Sequence, residues 1–390
     1  MTVIFIVSLL LIVAYISLLL YYRAAWKSIP AFDLIPHDPA PQTFISVIIP
    51  ARNEAENLPA LLRSISKQTY PVTLFEVLII DDHSTDDTAS IVKNYGLVNS
   101  RLISLKEQLN GNEINSYKKK AIETAIVQST GTLIVTTDAD CYLPENWLLT
   151  IASFYEQYKP AFIAAPVSIN CSNRFIEIFQ ALDFMTLQGI TGASVHQKMH
   201  SMCNGANMAY EKSAFVEVNG FTGIDNIASG DDMLLMHKIY KRFPERVMFL
   251  KSKAAIVQTA PVKTIGEFFN QRIRWASKAD KYDDKRIFGV LLIVYAFNVL
   301  LLLLPVIAIF KNVTYSMFNI QYSLIGFWLT LVVLKTIAEL FFLYPVSVFF
   351  HKQRLVWLFP VAQLFHIIYT VIAGWLGKFG TYQWKGRKVK

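Results

Sequence analysis

Two aspartates one residue apart, Asp138 and Asp140, close the apolar run "LIVTTDADCY" at residues 133–142. Alternate side chains of an extended backbone share a face, so both carboxylates would project to one side with Ala139 opposite. Like charges that close repel unless something positive lies between them. Carboxylate oxygens suit Mg2+ or Mn2+, which take one or two protein carboxylates together with phosphate oxygens. Without such an ion, each charge would oppose an anionic ligand, such as a diphosphate, by about 1–4 kcal/mol at contact. A loop with two solvated aspartates is the plainer alternative.

Three further clusters carry chemistry-bearing side chains, each with a structural alternative. "IIDDHSTDDT" (79–88) places Asp81 and Asp82 at the end of a strand-like run. These residues can form a turn and helix cap, or accept hydrogen bonds from a base or ribose. "SGDDMLLMHK" (229–238) places Asp231 and Asp232 before an apolar helical run. Acids are favourable at a helix N-terminus, and a carboxylate within reach of an acceptor hydroxyl can also serve as a general base. "QRIRW" (271–275) precedes a long apolar segment. Arg272, Arg274 and Trp275 can line a membrane interface, or set a guanidinium against a departing diphosphate.

The elements that must hold these residues begin with "FISVIIP", "FEVLIID" and "TLIVTTD", which read as buried strands. Between them, "NEAENLPALLRSISKQ" has Leu58, Leu61, Leu62 and Ile65 at helical spacing, with Asn53 and Glu56 expected to cap it. Strands alternating with helices predict a parallel sheet, which binds ligands at the carboxyl ends of its strands. Pro50, Asp82 and Asp138 all fall at such ends.

The chain is 53% hydrophobic and 17% charged over 390 residues, and its mean hydropathy is +0.36. The excess lies at the two ends. Residues 2–22 carry no charge and reach the ~20 residues a bilayer core requires. Runs at 287–310, 323–350 and 355–376 are similar. The first is too long for a cleaved signal and no small-residue cleavage site follows it, so it is expected to anchor the chain. "IPAFDLIPHDPAPQT" is a proline-rich linker. The net charge of +8 includes Arg23, Lys27 and a basic tail, which the positive-inside rule assigns to the cytoplasmic side. Basic groups against anionic membrane lipids explain this charge better than nucleic acid, since no central basic run is interleaved with aromatics.

Three cysteines, Cys141, Cys171 and Cys203, lack metal-ligand spacing and fit reduced thiols in the cytosol. Lys335 and Glu339 fall one helical turn apart within the third apolar run and are expected either to pair or to mark a break in that segment. Three full crossings after the central domain would place the basic tail outside. An inside tail therefore requires 355–376, with its Pro360, Gln363 and His366, to lie in the interface, or one segment to turn back.

"SVIIPARNEAENL", "IIDDHSTDDT", "TTDAD", "CNGANMAY", "SGDDMLL" and "QRIRW" occur in an order that resembles the membrane-bound family 2 glycosyltransferases. The resemblance covers roughly residues 44–280. It implies an α/β fold: a GT-A nucleotide-sugar-binding domain, with a mostly parallel sheet and flanking helices, plus transmembrane helices at both ends. The expected division is an anchor at 1–24, a linker at 25–43, a cytosolic GT-A domain at 44–286, membrane or interfacial helices at 287–376 and a basic tail at 377–390.

Carried over by motif, the resemblance implies that Glu54 and Asp82 contact the nucleoside and that Lys118 approaches the nucleotide. Asp138 and Asp140 match the DxD motif, with Asp140 the more direct ligand of Mg2+ or Mn2+. Asp232 matches the catalytic base, preceded by Asp231 where the family usually has Glu. Gln271, Arg274 and Trp275 match QxxRW, associated with the diphosphate and acceptor, and Arg387 matches a short motif near the end of hyaluronan synthases. The implied enzyme is a multi-pass protein of the cell (inner or plasma) membrane that transfers a sugar, with inversion, from a UDP-linked donor. A lipid, polyprenyl-type or growing-glycan acceptor is expected, with a processive synthase as the alternative and a homo-oligomer or partner subunit as a possible source of a channel.

Overall fold

The computed structural model describes residues 2–34, 41–109, 114–199, 202–278, 284–310, 314–317, 320–384 and 387–389. The chain opens with helix α1 (Thr2–Ser28), so the first apolar segment stays helical past residue 24. β1 (Ile45–Ala51), α2 (Leu58–Ser66), β2 (Phe75–Asp81), α3 (Thr88–Tyr95) and β3 (Ser100–Ser104) then alternate. α4 (Leu105–Leu109), α5 (Tyr117–Gln128), β4 (Leu133–Thr136), β5 (Cys141–Tyr142), α6 (Trp147–Tyr158), β6 (Phe162–Ala164) and β7 (Val167–Ile169) follow. Next come α7 (Phe175–His196), β8 (Met208–Glu211), α8 (Lys212–Glu217), α9 (Met233–Arg242), β9 (Val247–Phe249) and β10 (Val257–Thr259). The chain closes through α10 (Ile265–Ala276), α11 (Lys285–Phe310), α12 (Leu324–Phe349), α13 (Gln353–Val356) and α14 (Phe359–Phe379).

These elements form two compact units. The first unit comprises residues 1–27, 172–189 and 262–390, and the second comprises 28–171 and 190–261.

The second unit is built on a seven-stranded sheet ordered β3-β2-β1-β4-β8-β6-β9. β1, β2, β3 and β4 run parallel, and β8 is antiparallel to both β4 and β6. β1 and β2 are nearly continuous apolar runs because helices cover both faces of such a sheet. The buried Glu76 carboxylate is bonded at both oxygens. Ser46 Oγ donates to Glu76 Oε1 at 2.7 Å, Thr130 N and Oγ1 donate to the same oxygen, and Arg101 Nη2 reaches Oε2 at 2.9 Å.

Two local expectations change. α2 is preceded by Asn57, not by Asn53 and Glu56, because Pro59 suits only the first turn and sets the start there. Asn53 instead adopts φ 52° in the preceding loop. The strand reading of 133–142 also stops early. Extended structure ends at Thr136, and Cys141 N bonds to Asp138 O at 3.3 Å, so Asp138–Asp140 form a turn to which strand alternation does not apply.

Among the described residues, the first unit contains four helices long and apolar enough to cross a membrane: α1, α11, α12 and α14. α14 is one continuous helix. Pro360 lies in its first turn, where a missing N–H costs nothing, so the helix runs unbroken from Phe359, while 355–358 fall in α13 and the turn after it. Lys335 Nζ meets Glu339 Oε1 at 2.7 Å and His366 Nδ1 at 3.2 Å, while Tyr15 OH donates to Glu339 at 2.5 Å. Buried charge is thereby shared among α1, α12 and α14. α10 lies against α14 so closely that a Cβ on Gly377 would sit 2.6 Å from Ala276 Cβ.

Candidate active site

In the second unit, the carboxyl ends of β1, β2 and β4 gather the polar clusters. The loops after β1 and β2 are laced together. Asn53 N donates to Ser84 Oγ at 3.0 Å, Thr85 N donates to Asn53 Oδ1 at 2.8 Å, and Glu54 N donates to Thr88 Oγ1 at 2.8 Å. Asn53 and His83 both hold positive φ, 52° and 56°. Such backbone is retained only where surrounding bonds over-determine it.

Glu54 and Asp82 are both buried. Glu54 Oε2 accepts from Asn57 Nδ2 at 2.7 Å. Asp82 Oδ1 is 3.0 Å from His83 Nδ1, and Arg52 Nη1 donates to Asp82 O at 3.0 Å. Asp86 ties the same loops, accepting from Ala55 N and Thr88 Oγ1. Burial alone would raise its carboxyl, but these hydrogen bonds outweigh burial and hold it below the ordinary aspartate range.

Helix α5 divides its three lysines among three tasks. Lys118 Nζ lies 2.8 Å from Asp138 Oδ1 and 3.1 Å from Asp231 Oδ2, bridging the acid after β4 to the pair before α9. Lys119, fully buried, donates to the carbonyls of Ile224, Ile227 and Ser229 and so fixes the loop that delivers Asp231. Lys120 pairs with Glu123 on the surface. Burial alone would lower the Lys118 pKa, but Asp138 and Asp231 outweigh burial and raise it above the ordinary lysine value. Its charge is therefore permanent at physiological pH.

Asp232 is the N-cap of α9, with Oδ1 accepting from Met233 N at 2.7 Å. Its neighbour Asp231 is buried and turned to Lys118. Gly205, from "CNGANMAY", leaves the room this requires. A Cβ there would lie 3.1 Å from Asp231 Oδ2 and 3.3 Å from Lys118 Nζ.

Asp140 is exposed, with Thr259 Oγ1 3.5 Å from Oδ2, and Asp138 is partly exposed. Burial, then Asp140 and Asp138, push the adjacent Cys141 thiol well above its usual value. The donor set is hard oxygen, which fits Mg2+ or Mn2+ and not a soft metal. Among the described residues no cluster of three His, Cys, Asp or Glu forms a metal cage.

In the first unit, Gln271, Arg274 and Trp275 lie on α10, which a Thr264–Glu267 capping box starts. Arg272, between them, is buried. Its Nη1 donates to Gln271 Oε1 at 2.7 Å, and its guanidinium carbon lies 4.2 Å from the Trp275 ring centroid. Arg387 falls in a short strand, Arg387–Val389, and its side chain lies outside the described residues.

Sequence reading did not reach several of these features. The distinct work of Lys119 and the narrow space at Gly205 have no periodic signal. Asp183, which pairs with Arg272, lies 89 residues away in the chain.

Comparison with known proteins gives two family-model matches, "Glycosyl transferase family 2" over residues 46–218 and "Glycosyl transferase family group 2" over 133–376. The glycosyltransferase AglE of Haloferax volcanii is 37% identical over 106 residues, 27% of this chain and 33% of that protein. The poly(ribitol-phosphate) beta-N-acetylglucosaminyltransferase TarS of Staphylococcus aureus is 25% identical over 259 residues, 63% of this chain and 40% of that protein. The chain thus matches only a third to two fifths of these relatives' lengths. Among solved structures, the mannosyltransferase PcManGT from Pyrobaculum calidifontis, in complex with GDP-Man and Mn2+, superposes with a TM-score of 0.58. That match has 20% identity over 93% of this chain and 99% of that one, and speaks to the fold alone.

Proposed function

This chain belongs to the family 2 glycosyltransferases, and from that premise we propose that it is a membrane-bound, inverting enzyme moving a sugar from a nucleotide-sugar donor, UDP-linked, to a lipid or polyprenyl-type acceptor. The observation that carries this reading is the Lys118 bridge between Asp138 and Asp231. It joins the acid after β4 to the acidic pair before α9, so groups suited to a diphosphate and to a proton transfer lie at one place in the second unit. Mn2+ in the PcManGT complex and the hard-oxygen donors of this chain both support a divalent cofactor.

In the proposed reaction, Glu54 and Asp82 hold the nucleoside and the permanently charged Lys118 faces the diphosphate. Asp138 and Asp140 would hold Mg2+ or Mn2+, which when bound offsets charge on phosphate oxygens. Asp232 takes the acceptor hydroxyl proton as that oxygen bonds to the anomeric carbon. The bond from that carbon to the diphosphate oxygen breaks, and its electron pair leaves with the nucleoside diphosphate. By the motif they match, Arg274 is assigned to the diphosphate charge and Gln271 and Trp275 to the acceptor. The four long apolar helices among the described residues support an acceptor held in the membrane, such as a lipid.

The test is to incubate purified full-length protein with UDP- and GDP-sugars and membrane lipid extract, following nucleoside diphosphate release and the mass of the product. Release with a glycosylated lipid is expected. A polymer product would replace single transfer by processive synthesis, and no release from any donor would refute the proposal.

A further inference from the structure

Q-x-x-R-W leaves two positions unspecified, and Arg272 fills the first of them. Its surroundings are not those of an incidental surface arginine. Arg272 Nε donates to Asp183 Oδ2 at 3.0 Å, and Nη2 lies 2.7 Å from the same oxygen. Both side chains are only 4% exposed. The guanidinium lies over Phe268, 4.7 Å from the ring centroid, and over Trp275 at 4.2 Å. Its remaining nitrogen, Nη1, holds the Gln271 amide oxygen. One buried cation therefore grips the first and last residues of the motif.

Asp183, on α7, is fixed from its other side. Tyr369, on α14, donates its hydroxyl to Asp183 Oδ1. Phe179, Phe268 and Tyr369 then pack edge to face, with ring centroids 5.2–5.6 Å apart. Aromatic pairs of this kind hold orientation as well as area. The carboxylate is thus aligned by one phenol, and the guanidinium by one carboxylate. A lysine could not reproduce this, because it lacks the planar fork that bonds in two directions while stacking.

We propose that Arg272, Asp183 and Tyr369 form a positioning network that sets the orientation of Gln271 and Trp275, and through them the turnover rate. The inference rests on the reading that Gln271 and Trp275 serve sugar transfer. None of the three need touch substrate. Supporting groups of this kind typically cost 10–100-fold in activity when removed, because small misplacements are expensive in rate.

The experiment uses the full chain in detergent or nanodiscs, with the variants Tyr369→Phe, Asp183→Asn and Arg272→Lys. Each is assayed for kcat per folded molecule and for donor KM, and each is examined by NMR with 5-fluorotryptophan, the Trp275 resonance being identified by its loss in Trp275→Phe. The expected result is a kcat about 10–100-fold lower, donor KM within about twofold of the parent, and a displaced Trp275 resonance in Asp183→Asn and Arg272→Lys. A parental kcat in Arg272→Lys and Tyr369→Phe would overturn the network. So would a loss that only follows the folded fraction, or an unmoved Trp275 resonance. The resonance reports on the network even if no donor is turned over, a result that would count against the functional reading alone.

Discussion

Asp231 and Asp232 are adjacent yet differently bound, and this difference separates their expected effects. Asp231 is buried against Lys118, whereas Asp232 caps α9 through one oxygen. General-base assistance is worth about 10²–10⁴ in rate. Asp232→Asn is therefore expected to lose turnover by that factor while keeping donor affinity, which single-turnover assays and titration calorimetry measure. A second expectation concerns space. Gly205→Ala presses a methyl against Asp231 and Lys118, and should lower kcat roughly 10-fold with little change in melting temperature. An unchanged kcat would mean that the bridge has room to adjust.

At this scale much of the site was legible, because charged residues at the ends of apolar runs stand out in a sequence. The resemblance singles out Lys118, but the separate tasks of Lys119 and Lys120 emerge only in three dimensions, since a helix sends neighbours to different faces. The alternation argument for Asp138 and Asp140 failed because a turn begins at the end of β4, and turn geometry has no period to read.

Elements followed the sequence where burial dictates pattern. β1, β2 and β4 are mostly apolar because both faces of such a sheet are covered, and the apolar helices were evident by length and composition. The antiparallel insertion of β8 between β4 and β6 is a long-range choice that local pattern does not encode. Neither does the polar tie at Glu76. Burial would raise that carboxyl, but hydrogen bonds from Thr130, Ser46 and Arg101 outweigh burial and hold it below its ordinary value of 4.5. A depressed carboxyl contributes stability above its unfolded value and loses it as pH falls through the folded value. Glu76→Gln should thus melt lower than the parent at pH 7, by the equivalent of about 1–3 kcal/mol. The gap should narrow as pH drops below about 4.5. A gap constant across that range would remove the carboxylate from this role.

Across the whole molecule, membrane insertion governs which reading of the acceptor survives. Four helices reach the required length and hydropathy, and α14 is unbroken. If all four cross and the catalytic residues face the cytosol, a reporter fused at Lys390 will be active only on the far side of the membrane. A cytosolic reporter signal would mean that one of the four does not cross. The family and the α/β fold, with its mostly parallel sheet, agree with what the ordered motifs imply.

The most direct measurement is calorimetric binding of the donor nucleotide to the full chain, with Mn2+ present and after chelation, for the parent, Asp138→Asn and Asp140→Asn. Binding that needs the ion, and that weakens at least about 10-fold in both variants, is the predicted result. Equal affinity with and without the ion, unaltered by either substitution, would contradict the account.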